Sequence, residues 1–218
     1  MPSFTCRVCG DEFSLPQQVL DRYPGWKPQL CRQHRDAGKT SSGGGSKRAA
    51  KPKRSNRAGD RLLTPAEVLD RYTDGPVDGV FTDGGSVPNP GPGGWGSVYV
   101  VGNEIVAERH GHDPDTTNNR MEFTALIEGA ALVPAGIEAT VFSDSRLAIR
   151  TVTEWAAGWE RRGWKRKTGP VENLELVKRA FAVYSDRPEL SLEWIAGHSG
   201  ARWNEYADAL ANEWRRSS

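Results

Sequence analysis

The 218-residue chain has room for one medium domain and a small one, and 37% hydrophobic content with eight Trp supplies a core, which excludes wholesale disorder. No apolar run approaches the ~18 residues a membrane span requires, and the N-terminal MPSFTCRVCG lacks the apolar centre of a signal peptide, so a soluble, cytoplasmic protein is expected. The net charge of +1 conceals an uneven distribution: residues 1–38 carry 5 basic and 4 acidic side chains, residues 39–61 carry 8 and 1, and residues 62–218 carry 16 and 23.

Residues 1–38 are expected to form a zinc-binding module. Cys6-x-x-Cys9 is followed by Cys31-x-x-His34, and two such pairs are what a tetrahedral zinc takes from two short knuckles. A segment below about 40 residues buries too little surface to fold unaided, whereas structural zinc contributes ~10 kcal/mol or more. A redox Cys-x-x-Cys would explain neither Cys31 nor His34, and three cysteines cannot close into a disulfide set. Arg7, Arg22, Lys27, Arg32, Arg35 and Trp26 suit nucleic acid, with a protein-docking or purely structural role equally open.

Residues 39–61, KTSSGGGSKRAAKPKRSNRAGDR, have almost no large apolar side chains and read as a flexible basic linker able to hold a polyanion by counterion release. Residues 62–76 are a short lead-in. Val-Leu-Asp-Arg-Tyr occurs at Val19–Tyr23 and again at Val68–Tyr72, each shortly after a Pro. Two copies do not make a solenoid, and a shared docking helix or a local duplication would account for them.

From Val77 the pattern becomes that of an α/β domain, 77–216. Val77, Gly79 and Phe81 alternate with Asp78, Val80 and Thr82, and the run then breaks into Gly84, Gly85, Pro88, Pro90, Gly91, Pro92, Gly93 and Gly94, a strand ending in a long turn. Trp95–Val101 and Glu104–His110 flank Gly102-Asn103 as a hairpin. A helix follows, capped at Thr117 or Asn118 and ended by Pro134 and Gly136, with Glu122 near its start. Ala139–Phe142 is a short strand closing on Ser143-Asp144-Ser145. A helix bearing Leu147, Ile149 and Val152 comes next, then a helix at Glu172–Tyr184, a strand at Leu190–Ile195 and a final amphipathic helix at Arg202–Arg216 carrying Asp208. Three strands, then helices alternating with two more, predict a mixed sheet with helices packed on it.

Asp83 and Asp144 end strands at the edge where open α/β sheets place ligands, and Glu122 and Asp208 lie on helices able to pack beside that edge. Four converging carboxylates would repel one another unless divalent cations lay between them, and oxygen-only ligation suits Mg²⁺ or Mn²⁺. Taken singly, each acid reads equally as a cap, a turn residue or a solvated surface group.

At this point FTDGGSVPNPGPGGWG, TTNNRMEFTA, FSDSRLAI, EWxxxWxxRGWK and WIAGHSGARWNEYADALA closely resemble cellular ribonuclease H of the type-one bacterial and eukaryotic class, in order from Val77 to Trp214. The resemblance implies a ribonuclease H-like fold with a five-stranded mixed sheet. It also implies a two-metal centre and hydrolysis of the RNA strand of RNA–DNA hybrids to 5′-phosphate and 3′-hydroxyl ends. By the same resemblance Asp83, Glu122, Asp144 and Asp208 are the metal-binding carboxylates. His198, in Gly197-His198-Ser199-Gly200, matches the family's mobile histidine, whose part is proton transfer or product release. Asn89, Asn118 and Asn119 match residues that reach the hybrid's minor groove, where 2′-hydroxyls tell RNA from DNA. Thr117 holds a DNA phosphate or only caps the helix.

In WAAGWERRGWKRK, Trp155, Trp159 and Trp164 accompany Arg161, Arg162, Lys165, Arg166 and Lys167. The aromatics also suit a core, but the clustered cations in an acidic domain resemble the basic handle of type-one enzymes. Gly158 and Glu160 depart from the Asn and Lys of the best-known bacterial members, and Arg146 stands where Gln is frequent. The expected enzyme is a monomer, with its front module tethering it to nucleic acid or a partner. A catalytically silent hybrid-binding protein, or another nuclease on the same fold, are the rival readings.

Overall fold

The computed structural model describes residues 3–5, 10–14, 62–166 and 168–216. Cys6, Cys9, Cys31, His34, the linker, Lys167 and the first Val-Leu-Asp-Arg-Tyr copy lie outside the described residues. At the front, β1 (Ser3–Thr5) pairs antiparallel with β2 (Glu12–Ser14), Thr5 opposite Glu12.

The lead-in contains a helix, α1 (Pro65–Arg71). Thr64 caps it in a reciprocal box with Glu67: the Glu67 N–H donates to Thr64 Oγ1 at 3.2 Å, and the Thr64 N–H to Glu67 Oε2 at 2.8 Å. Pro65 at its first turn suits a position whose N–H would have no partner. Val68 is buried among Phe81, Phe142, Trp203 and Tyr206, so the second Val-Leu-Asp-Arg-Tyr copy is a docked helix.

The main sheet has the order β5-β4-β3-β6-β9. Strands β3 (Gly79–Ser86), β4 (Gly91–Val101) and β5 (Glu104–Thr116) form an antiparallel meander, and β6 (Ala139–Ser143) and β9 (Leu190–Trp194) add in parallel. The mixed five-stranded sheet expected from the sequence is therefore present. On one face lie α2 (Asn118–Leu132) and α5 (Leu174–Ser185), closing a cluster around Val80, Leu126, Val141 and Val177. On the other lie α1 and α6 (Arg202–Ala211), over Phe81, Val98 and Phe142. Phe81 and Phe142 stack with centroids 4.9 Å apart, locking the central parallel pair.

Three expected boundaries are corrected. The glycine-rich run is mostly strand, not a long turn: β3 extends through Ser86 and β4 starts at Gly91, leaving only 87–90 between them. Gly84, Gly94 and Gly96 are there because helix backbone lies directly on them. A Cβ at Gly84 would stand 2.4 Å from the Met121 carbonyl carbon, one at Gly96 2.5 Å from the Ala207 oxygen, and one at Gly94 2.2 Å from the Ala211 oxygen. The helix after Asp144 is broken into α3 (Arg146–Arg150), a π turn (Thr151–Trp155) and α4 (Ala156–Glu160). Finally, α6 stops at Ala211, where the Asn212 side-chain amide donates to the Asp208 carbonyl at 2.9 Å, and a 3₁₀ turn (Glu213–Arg215) follows. A two-residue ribbon, β7 (Lys165–Arg166) with β8 (Gly169–Pro170), completes the fold.

Candidate active site

The glycine contacts decide where the acids meet. Gly84 seats the Met121–Glu122 backbone of α2 against β3, which sets Glu122 beside Asp83. Gly96, the antiparallel partner of Asp83, seats Ala207 of α6 and thereby sets Asp208 next to it. Asp144 is the first residue past β6, whose Ser143 pairs with Thr82, so it stands alongside Asp83. Asp83 itself lies inside β3 and does not end it, contrary to expectation: β3 outruns β6, and the open edge lets acids from both layers converge.

One oxygen each from Asp83, Glu122 and Asp144 lie mutually within 4.8 Å, and all three residues are half-buried. Burial pushes Asp83 well above the usual carboxylate range, reinforced by the charges of Glu122, Asp208 and Asp144 and by a side-chain hydrogen bond with Asp208. Burial and then Asp144 raise Glu122, with the Ser143 hydroxyl pulling it partly back. Burial raises Asp144 as well, His198 opposing and Asp208 adding to the shift. The cluster is a stored repulsion that positive charge would relieve.

Glu122 Oε2 is buried without a hydrogen-bond partner. A buried carboxylate oxygen left bare is costly, and a metal ligand is the role that satisfies it. All-oxygen donors from carboxylates suit a hard divalent cation such as Mg²⁺ or Mn²⁺ and not a soft one. The residues present therefore fit such a group.

His198 is exposed on the loop after β9, at φ 50°, and one of its nitrogens lies within 4.8 Å of oxygens of Glu205 and Asp208. Gly197 lets this loop close on the centre, since a Cβ there would fall 2.1 Å from Asp144 Oδ2. Glu205 Oε1 accepts the Gly200 N–H at 3.0 Å and ties the loop to α6. Asn212 Nδ2 donates to Asp208 Oδ1 at 3.0 Å and orients that carboxylate. Ser143, Glu205 and Asn212 were not singled out from the sequence; Asn212 had a readable signal, standing one helical turn beyond Asp208.

The asparagines gather at the same end. Asn118 Oδ1 accepts the Ser86 N–H at 2.7 Å, and Asn89 Oδ1 accepts the Asn118 N–H at 3.3 Å. Since a backbone N–H can only donate, both amides are oriented by these bonds, and their NH₂ groups are left as donors at an exposed surface. Thr117 caps α2, accepting the Arg120 N–H at 3.4 Å, and Asn119 is half-buried beside it.

In the handle, Trp159 and Trp164 pack on the main core, Trp164 edge-on to Phe181 at 6.1 Å. Trp155 lies 5.9 Å from Trp159 and under the Arg150 guanidinium. Arg161, Arg162 and Lys165 are exposed, while Arg166 pairs with Glu172 at 3.6 Å.

Residues 78–215 match the family model for RNase H. A ribonuclease H of Methylorubrum extorquens (strain PA1) is 42% identical over 139 residues, 64% of this chain and 60% of that protein, so the chain spans less than two thirds of that relative's length. A ribonuclease H of Polaromonas sp. (strain JS666 / ATCC BAA-500) is 43% identical over 136 residues, 62% of this chain and 85% of that protein. Among solved structures, the N-terminal RNase H domain of a Mycobacterium tuberculosis protein, prepared as a fusion with maltose binding protein, is similar at TM-score 0.51 and 31% identity, covering 64% of this chain and 95% of that one.

Proposed function

Because the chain belongs to the ribonuclease H family, we propose that it is an endoribonuclease that hydrolyses the RNA strand of RNA–DNA hybrids, leaving 5′-phosphate and 3′-hydroxyl ends. The observation that carries this reading is the carboxylate cluster: Asp83, Glu122 and Asp144 within 4.8 Å of one another, Asp208 near enough for its charge to raise Asp83, and a bare buried oxygen on Glu122.

Asp83, Glu122, Asp144 and Asp208 would hold two Mg²⁺ ions, or Mn²⁺. When bound, such ions supply positive charge at both the attacking and the leaving oxygen of a phosphodiester displacement. The protein's own groups do the rest. Asn212 holds Asp208 in one orientation. His198, exposed at the rim, exchanges a proton between the site and solvent. The outward NH₂ groups of Asn89 and Asn118, with Asn119, donate to 2′-hydroxyls and base edges in the minor groove, which admits RNA and rejects DNA at the cleaved strand. Thr117 holds a phosphate of the uncleaved strand. Trp155 offers a stacking face to that strand, with Trp159 and Trp164 behind it, and Arg161, Arg162, Lys165, Arg166 and Lys167 grip its backbone.

Labelled RNA–DNA hybrid, duplex RNA and duplex DNA incubated with Mg²⁺ test the reading. Cleavage of the hybrid alone is expected, with Asp83→Asn inactive; cleavage of the DNA duplex, or an undiminished mutant, overturns it.

The front segment is a zinc module that, with the basic linker, tethers the enzyme to nucleic acid or a partner. The pairing of Thr5 with Glu12 supports a knuckle there by drawing together the ends of the stretch that bears Cys6 and Cys9. Metal analysis of the full chain under reducing conditions is expected to find about one zinc, and a zinc-free protein would remove the claim.

A further inference from the structure

The centre is flanked by a pair of side chains that the cluster itself does not employ. The Arg146 guanidinium lies over the Trp194 ring, 3.7 Å from its centroid. Both residues are exposed, Trp194 by 45%, an unusual position for so large an aromatic on an edge strand. The pair is not loosely laid on the surface. The Trp194 indole N–H donates to the backbone oxygen of Asp144 at 3.1 Å, an oxygen that also accepts the Arg146 backbone N–H at 3.1 Å. The ring is therefore tied to the carbonyl of one of the clustered acids, and the guanidinium is positioned through the ring it lies over.

Arg146 has no ion pair among the described residues. Arg150, one turn further along α3, stacks on Trp155 at 4.7 Å and also gives its Nε to Glu154 at 2.9 Å. The two arginines share a helix face and each lies over its own indole, and only the one nearer Asp144 is without an ion pair among the described residues. Stacking restrains the guanidinium plane before any ligand arrives, so little further ordering is needed to present paired N–H groups to an anion. A solvated cation–π pair alone would need no indole anchor on the Asp144 carbonyl.

We propose that Arg146, held flat on Trp194, is a positioning residue that binds a backbone phosphate of the cleaved strand beside the scissile bond. The inference rests on the hybrid-nuclease reading above. A guanidinium two residues from Asp144 meets the strand that the carboxylates engage. The phosphate oxyanion is the acceptor that every nucleotide of that strand offers, whatever its base.

The test uses the full chain with Asp83→Asn, and hybrid binding measured by fluorescence anisotropy across a potassium chloride series in Mg²⁺. Adding Arg146→Gln is expected to weaken binding severalfold and to reduce the slope of log K against log salt by about 0.9, the loss of one phosphate contact. Arg146→Lys keeps most of the slope, whereas Trp194→Ala loses affinity with the charge still present. Single methylphosphonates walked along the RNA strand should weaken the parent at one position near the cleavage site and leave Arg146→Gln unaffected there. In the active enzyme, Arg146→Gln raises KM with kcat little changed. An unchanged salt slope, a loss that follows base sequence, or coupling to a DNA-strand methylphosphonate instead would overturn the assignment. Since Arg146 is exposed, a matching thermal melt separates these effects from misfolding. Absence of hybrid cleavage by the wild-type chain sinks the functional reading, while the binding series still reports on Arg146.

Discussion

The carboxylate end of the β3–β4 pair and the handle from Trp155 to Pro170 both serve the proposed substrate, but they are built on opposite terms. At the first, helix backbone rests on strand backbone through Gly84, Gly94 and Gly96, and Asp83, Glu122 and Asp144 are brought within 4.8 Å of one another with the charge of Asp208 close by. At the second, exposed cations stand on a two-residue ribbon and a short helix, with Trp159 and Trp164 rooted in the core. Charge that must be exact in position is carried by over-determined backbone; charge that need only follow a polyanion is carried by solvated side chains. The first region trades stability for geometry, and the second trades almost nothing.

The contrast breaks most sharply at Asp83. Asp83→Asn is expected to lower hybrid cleavage by about 10³-fold or more, within the range for removing electrostatic transition-state stabilisation, while raising the stability of the metal-free protein. Paired cleavage assays and denaturant melts check both; a mutant both inactive and less stable would mean that the acids are not in conflict.

Next in size is the packing itself. Gly84→Ala puts a methyl group against the Met121 and Glu122 backbone and should cost about 3 kcal/mol or more, because neither element can yield without moving a carboxylate. Gly163→Ala, in the handle, has nothing within 4 Å but requires φ 65°, so it should cost only about 1 kcal/mol, from backbone strain. Equal costs would erase the distinction between the two regions.

The stored repulsion gives a pH signature. Asp83, Glu122 and Asp144 have folded-state values raised above their unfolded ones, so between the ordinary carboxylate range and those raised values the folded state holds more protons than the unfolded. Their contribution therefore falls as pH rises above about 4. The Tm difference between metal-free Asp83→Asn and wild type should widen from pH 4 to pH 7 and shrink when millimolar Mg²⁺ is added, through its binding to the native state. A pH-independent difference would sink the account.

The smallest effects belong to the handle. Replacing Arg161, Arg162 and Lys165 together by Ala should raise KM for hybrid by about 10-fold at low salt and less as salt rises, with Tm almost unchanged. A large fall in Tm would mean that these cations support the fold, not the substrate.

Much of this architecture was legible beforehand because it is periodic. The alternation in Val77–Thr82, the amphipathic run to Arg216 and the β-rich pair around Gly102-Asn103 each report a local backbone state, which short-range sterics and solvation largely settle. Asp83, Glu122, Asp144 and Asp208 could be nominated from their places on those elements and from the family resemblance. Other features could not. The glycines looked like a turn because a bare backbone means either a turn or a close neighbour, and only the packed helices show which. The helix end at Asn212 and the π turn after Arg150 carry no comparable local signal. The anchoring of Trp194 on the Asp144 carbonyl, with Arg146 over its ring, joins residues some fifty positions apart. Element type and the identity of the acids are thus properties of the sequence. Their convergence, the raised pKa values of Asp83, Glu122 and Asp144 and the seating of Arg146 over Trp194 were decided by tertiary structure, because burial and mutual charge exist only once distant segments share one volume.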